Sequence, residues 1–207
     1  MNVIYLGDSI TDAGRSIGEG SMVSIGQGYA LITSAKLSAQ RPGAYNFINS
    51  AISGSRIVDI YARIKTDAWN KEPDVISILA GVNDVWHEFD MSNGVDAERF
   101  ENVYRMLLTD TKKRFPNVKF LLMEPFVLRE SATTENWEGF QRETLARAAV
   151  VKKLAEEFNT VFVPLQCIFD EACKQQSVAY WLADGVHPTP AGHQLIADAW
   201  MEAFGVL

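Results

Sequence analysis

The sequence has few cysteines, no excess of basic residues and no long apolar segment, and each absence excludes a class of function. Its formal net charge of −7 comes from 19 basic and 26 acidic residues among 207. Nucleic-acid binding depends on Lys and Arg contacts to phosphate, so this charge argues against a nucleic-acid partner. It also suits neither an anionic membrane surface nor a polyanionic substrate. No segment approaches the roughly 18 apolar residues of a membrane-spanning helix, so no membrane partner is expected.

The N-terminus and the two cysteines bear on the cellular compartment. The stretch MNVIYLGDS lacks the basic start and the cleavage site of a secretory signal peptide. Cys167 and Cys173 lie six residues apart, which is not the CxxC spacing of a redox or metal site. We interpret them as reduced thiols packed in a helical region, with a disulfide or a metal site as the alternatives. A cytoplasmic protein is expected.

Five short β-branched segments alternate with longer helical patterns. They are NVIYLG, YNFINSA, DVISILA, VKFLLME and TVFVPL, and they predict five buried strands. Apolar residues at helical spacing predict helices around 57–68 and 100–108, and further helices are predicted over about 136–158 and 190–204. This alternation predicts an α/β fold, a three-layer α/β/α sandwich around a five-stranded parallel sheet. With no linker or repeat, one domain is expected over residues 1–207.

Small and hydrogen-bonding residues follow three successive strands. Asp8 and Ser9 follow the first, Gly54 follows the second, and Asn83 and Asp84 follow the third. Because ligands of an open parallel sheet bind beyond the carboxyl ends of its strands, these residues predict one shared site. Each also has a structural interpretation: a helix cap for the serine, the asparagine and the acids, and a turn for the glycine.

A fourth polar element, LADGVHPTPAGH, precedes the last predicted helix. Asp184 and His187 are three residues apart, so in a helical turn their side chains would point the same way. An aspartate that accepts the imidazole Nδ1–H fixes the tautomer and leaves Nε2 free as a base. Pro188 restricts the backbone of His187, and Thr189 is a suitable N-cap for the helix. An exposed histidine beside a solvated aspartate is the alternative.

Together the four elements resemble the GDSL, or SGNH, hydrolase family over nearly the whole chain. That family has a nucleophilic Ser in a GDS block, a Gly in a second block, an Asn in GxND and a His in DxxHP. The resemblance assigns these roles to Ser9, Gly54, Asn83 and His187, with Asp184 as the third member of the triad. It also implies a flavodoxin-like fold. An isoleucine replaces the leucine of the family name, and NSAISGS lacks a glycine often found in the second block.

The finer resemblance is to the acetylxylan esterase branch of this family, which removes acetyl groups from xylan-derived sugars. It is carried by GDSITDAGR, GVNDVW, the PF after the fourth strand and VHPTPAGH. The resemblance implies that Ser9 attacks an ester carbonyl while His187 takes its proton. The oxyanion would be held by the backbone N–H groups of Ser9 and Gly54 and by the amide of Asn83. No metal or organic cofactor is implied, and the expected partner is a small ester substrate such as an acetylated sugar.

Other features leave alternatives open. Trp86 lies three residues after Asn83 and Trp181 three before Asp184, so both are candidates for stacking on a sugar or simply for the core. The segment GRSIGEG is interpreted as a mobile active-site loop or a surface loop. Within the same mechanism, a thioesterase or lysophospholipase is the alternative function. A non-catalytic carbohydrate-binding protein is the alternative from a different class, and a homo-oligomer is compatible with the sequence.

Overall fold

The computed structural model describes residues 1–16 and 23–207. These residues form five strands and nine helices, with one 3-10 turn at Trp69–Lys71. The strands are β1 (Asn2–Gly7), β2 (Asn46–Asn49), β3 (Val75–Leu79), β4 (Lys119–Met123) and β5 (Val161–Val163). The helices are α1 (Ser9–Asp12), α2 (Tyr29–Gln40), α3 (Ile57–Asp67), α4 (Val82–Met91), α5 (Ala97–Arg114), α6 (Trp137–Glu157), α7 (Gln166–Ala172), α8 (Val178–Trp181) and α9 (Pro190–Phe204).

The five strands form one parallel sheet in the order β2-β1-β3-β4-β5. Because the chain moves to one side of β1 for β2 and to the other side for β3, strand order reverses between β1 and β3. In open parallel sheets that reversal creates the crevice in which ligands bind. Val3 pairs with Phe47 on one side and Val75 on the other, so the carboxyl ends of the three strands meet at one edge.

Helices cover both faces of the sheet, as the alternation of strands and helices predicts. Along β1, Val3 and Tyr5 pack into one apolar cluster with α2 and α9, while Ile4 and Leu6 pack into a second with α3, α5 and α6. Side chains of a strand point alternately to its two faces, and here both faces are buried. The predicted α/β class with a five-stranded parallel sheet is confirmed.

The predicted helices lie close to α3, α5, α6 and α9, and the strands are shorter than predicted; α2, α4 and α7 were not predicted. The second and fifth strands end where their pairing with β1 and β4 ends, at Asn49 and Val163. The last helix begins at Pro190, and the Thr189 hydroxyl caps it by accepting the Gly192 N–H at 3.3 Å.

Both cysteines are free, as predicted. The expectation that both are packed is wrong for Cys167, which is exposed, whereas Cys173 is half-buried. Over residues 1–16 and 23–207, no helix is long and apolar enough to cross a lipid bilayer.

Candidate active site

The turn after β1 presents Ser9 at the edge of the sheet. Asp8, not Ser9, is the helix cap, since its Oδ1 accepts the Ile10 N–H at 3.0 Å. Ser9 is therefore the first residue of α1, and its Oγ lies 2.9 Å from Nε2 of His187. Gly7 allows this turn to lie against β3, because a Cβ there would come within 2.6 Å of the Leu79 carbonyl oxygen.

His187 is oriented by Asp184 from its own loop. The imidazole Nδ1 lies 2.6 Å from Asp184 Oδ2, while Asp184 Oδ1 accepts the backbone N–H groups of Val186 at 2.9 Å and His187 at 2.8 Å. The predicted helical turn is wrong. The chain instead folds back on itself, with a bridge between Leu182 and Pro188 and a positive φ of 98° at Gly185.

The hydrogen bonds to Asp184 keep its carboxyl ionised. Partial burial is the largest single influence and raises the pKa, but the hydrogen bonds from the His187 backbone and ring and from the Val186 N–H outweigh it. The net effect is a lowered pKa. A serine hydroxyl against an imidazole whose far nitrogen faces a carboxylate is an arrangement that can generate an oxygen nucleophile. The side chains of His187 and Asp184 are 40% and 28% exposed, so the site is open to solvent.

Gly54 and Asn83 follow β2 and β3, at the same edge of the sheet as Ser9. Asn83 is buried, and its Nδ2 is 3.3 Å from the Ser55 carbonyl oxygen. Gly54 has a φ of 78°, a left-handed conformation that favours glycine. Within residues 1–16 and 23–207, neither the Ser9 nor the Gly54 backbone N–H has an acceptor. Two free N–H groups and one amide therefore lie on the sheet edge that carries Ser9.

Asp84 connects the first turn of α4 to the start of α3. Its two carboxylate oxygens lie 3.1 and 3.2 Å from the backbone nitrogen of Ile57, at the start of α3. The capping interpretation of Asp84 is therefore correct, and the helix it holds is the one that follows Gly54. Burial raises the pKa of Asp84 to about 7, against the opposing effects of the Ile57 N–H and of Arg147.

His193 is a residue with a role that sequence reasoning missed. Its Nδ1 accepts the Tyr29 N–H at 3.2 Å, so the ring satisfies a backbone donor at the start of α2. Burial, with the nearby His187, lowers its pKa to about 4, which keeps the ring neutral. The second histidine of HPTPAGH was the available signal, but its partner lies 164 residues earlier. His193 is a structural residue.

The two candidate tryptophans lie in different surroundings. The half-buried Trp86 ring is 5.8 Å from the His187 ring and 5.8 Å from Phe140, centre to centre. Trp181 instead donates its indole N–H to the Ala172 carbonyl at 3.0 Å and packs edge-on to Tyr180. The structure thus brings Trp86, and not the Trp181 ring, against the proposed base. The predicted loop GRSIGEG falls largely on residues 17–22, outside the described part of the chain.

Comparison with known proteins shows the family to which this chain belongs. Residues 5–195 match the GDSL-like Lipase/Acylhydrolase family. The acetylxylan esterase of Geobacillus stearothermophilus is 35% identical over 216 residues, covering 98% of this chain and 93% of the relative. Its solved structure has a TM-score of 0.87 and 34% identity, covering 99% of this chain and 94% of that one. Solved variants of that enzyme include two described as catalytic mutants, with a serine or an aspartate replaced by alanine.

A second solved structure is more similar in shape. A protein described as a GDSL-like lipase from Parabacteroides merdae has a TM-score of 0.94 and 39% identity, covering 100% of this chain and 96% of that one. Sequence, fold and family match thus agree over nearly the full length. The chain belongs to the GDSL-like lipase/acylhydrolase family and is a carboxylic ester hydrolase.

Proposed function

We propose that the protein is a serine esterase that removes acetyl groups from xylan-derived or similar acetylated carbohydrates. The observation that carries this proposal is the hydrogen-bonded series Ser9–His187–Asp184, with contacts of 2.9 and 2.6 Å at the carboxyl edge of the sheet. The acetyl specificity is supported by the Geobacillus relative, an acetylxylan esterase. We further propose that residues 1–207 act as one catalytic domain. The cytoplasmic location remains an expectation from the sequence.

In this mechanism Ser9 Oγ attacks the ester carbonyl carbon as His187 Nε2 takes the hydroxyl proton. The tetrahedral intermediate collapses when the bond to the sugar oxygen breaks, and the imidazolium returns its proton to that oxygen. An acetyl-enzyme remains on Ser9. Water then attacks the acetyl carbon, with His187 again as the base, and acetate leaves while the proton returns to Ser9. Asp184 stabilises the imidazolium in both halves.

The oxyanion of each intermediate needs donors that already point towards it. We assign this role to the backbone N–H groups of Ser9 and Gly54 and to the Asn83 side-chain amide. Support comes from the free N–H groups and from Asp84, which fixes α3, and hence the residues before it, against the start of α4. An aspartate at position 83 would offer acceptors only, so the amide is chemically required.

The sugar would lie beside Trp86, whose ring adjoins His187. An aromatic face offers a flat apolar surface for the C–H side of a sugar ring. A corresponding role for Trp181 stays a prediction from its position in the sequence. A thioesterase or lysophospholipase of the same family is the alternative, and a carbohydrate-binding protein without catalysis is the alternative of another class.

The decisive test compares wild type with Ser9→Ala and, as a matched control, Ser38→Ala on the exposed side of α2. We expect Ser9→Ala to abolish acetate release and covalent labelling by an organophosphonate, and Ser38→Ala to keep both. Substrate class is tested on acetylated xylo-oligosaccharides against p-nitrophenyl and thioester substrates of rising acyl length. More than a tenth of wild-type turnover in Ser9→Ala would refute the nucleophile, and a preference for long acyl chains or thioesters would favour the alternative.

A further inference from the structure

A cavity of about 400 Å³ lies between the start of α6 and the end of α4. Phe89 and Trp137 supply aromatic walls, and Arg129, Asn136 and Glu138 supply polar ones. Phe89 is 39% exposed, although it is a large apolar side chain. Apolar walls with a few polar groups are typical of small-ligand sites.

Aromatic contacts connect this cavity to the proposed base. Trp86 adjoins His187, and Phe140 lies edge-on to Trp86 at 5.8 Å. Phe89 in turn stacks on Phe140, with ring centres 5.8 Å apart and planes at 24°. Gly139 leaves room for this stack, because a Cβ there would come within 3.1 Å of the Phe89 ring. A series of ring contacts thus leads from His187 to the cavity.

The opposite wall is connected to the same site through the backbone. The segment that carries Arg129 donates two hydrogen bonds to the loop of the proposed triad. The Leu128 N–H is 2.9 Å from the Gly185 carbonyl oxygen, and the Ala132 N–H is 3.1 Å from that of Asp184. Contacts from both walls therefore connect the cavity to His187 and to the loop that carries it.

The lining chemistry suits an uncharged polyhydroxyl ligand. The exposed polar groups combine one guanidinium, one amide and carboxylates, which can exchange hydrogen bonds with hydroxyl groups. Asn136 precedes α6 and makes no capping hydrogen bond, and no hydrogen bond of its side chain is seen within residues 1–16 and 23–207, so its amide can bind a ligand. The mixed signs give no preference for an anion, and the two aromatic rings match the apolar faces of sugar rings.

We propose that this cavity is a saccharide subsite, which holds sugar units of an oligosaccharide beyond the one that carries the acetyl group. The inference rests on the proposed function, since it extends the substrate away from Ser9. Phe89 and Trp137 contact the sugar rings, while Arg129, Asn136 and Glu138 bind their hydroxyl groups. The subsite makes the enzyme prefer acetylated oligosaccharides to acetylated single sugars.

The test uses the ratio of kcat/KM on acetylated xylotetraose to kcat/KM on p-nitrophenyl acetate. We expect Phe89→Ala and Trp137→Ala each to lower this ratio by up to about tenfold, the loss of one aromatic contact. Asn136→Ala should lower it by a smaller factor. Leu145→Ala, which removes an exposed apolar side chain from α6 away from the cavity, is the control and should leave the ratio unchanged.

The outcomes separate this inference from the proposed function. If wild type hydrolyses acetylated xylotetraose and neither Phe89→Ala nor Trp137→Ala changes the ratio, the subsite is refuted and the esterase stands. If wild type hydrolyses only p-nitrophenyl acetate, the carbohydrate substrate is refuted. The subsite is then tested by calorimetry with unacetylated xylotetraose, where binding lost in Phe89→Ala supports it and no binding to wild type overturns it. A lower melting temperature in Trp137→Ala leaves Phe89→Ala, at an exposed position, as the deciding variant.

Discussion

Replacing Asp184 by asparagine separates its hydrogen bond to the His187 ring from its hydrogen bonds to the backbone of the loop. In the folded protein Oδ2 faces the His187 ring, while Oδ1 accepts the backbone N–H groups of Val186 and His187. Asparagine keeps the shape but has one oxygen and one NH2 group. If the oxygen serves the backbone, the NH2 donates to Nδ1, and the ring proton must then sit on Nε2. That nitrogen can no longer accept the proton of Ser9.

The opposite orientation of the amide is costlier. With its oxygen towards the ring, the NH2 would face two backbone N–H donors and leave both without an acceptor. Each unsatisfied buried donor costs about 1–3 kcal/mol, so the first orientation is favoured. The wrong tautomer and the lost carboxylate charge should then lower kcat by about 10⁴-fold, or about 5.4 kcal/mol in the activation free energy.

The assay is kcat on p-nitrophenyl acetate together with the melting temperature. We expect Asp184→Asn to melt close to wild type, because the loop keeps both backbone hydrogen bonds. Asp184→Ala removes both acceptor oxygens and the three hydrogen bonds they accept, so it should lose activity and also melt lower. Asp198→Asn, at an exposed acid on α9 that accepts a hydrogen bond from Gln194, is the matched control and should keep its kcat. Retention of more than a tenth of wild-type kcat by Asp184→Asn would refute this reasoning.

Two further predictions test the oxyanion donors and the buried acid before Ser9. Asn83→Ala should lower kcat by about 10²–10³-fold, or ~2.7–4 kcal/mol, with little change in KM, and an effect confined to KM would assign Asn83 to ground-state binding. Burial raises the pKa of Asp8 to about 7. Between about pH 4 and 7 the folded protein therefore keeps a proton on Asp8 that the unfolded chain has lost. Because the unfolded state binds fewer protons there, the free energy of unfolding falls as the pH rises through that range. Asp8→Asn keeps the helix cap without titrating. The free energy of unfolding of this variant minus that of wild type should therefore increase as the pH rises through that range and become constant above it. Urea unfolding at both ends measures this, and a difference independent of pH would contradict it.

The sheet and the long helices could be predicted from local patterns because each is specified within its own segment. NVIYLG and DVISILA are mostly apolar, and the strands within them, Asn2–Gly7 and Val75–Leu79, are buried on both faces. Residues 190–204 carry their own start signal in Thr189 and Pro190. α2 escaped prediction because small and polar residues such as Thr33 and Ser34 form much of its buried face, which leaves no apolar stripe to recognise.

Sequence motifs alone singled out Ser9, Asn83 and His187, since few residue types can serve as nucleophile, amide donor and base. Tertiary structure alone decided how they meet. Ser9 and His187 are 178 residues apart, and no local pattern states that a strand end and a late loop converge. The same holds for Asp184, which lies in a folded-back loop rather than a helical turn. Hydrophobic spacing specifies which face of an element is buried, but the partner of each polar side chain depends on the packing of distant elements. That packing exists only once the whole sheet has formed.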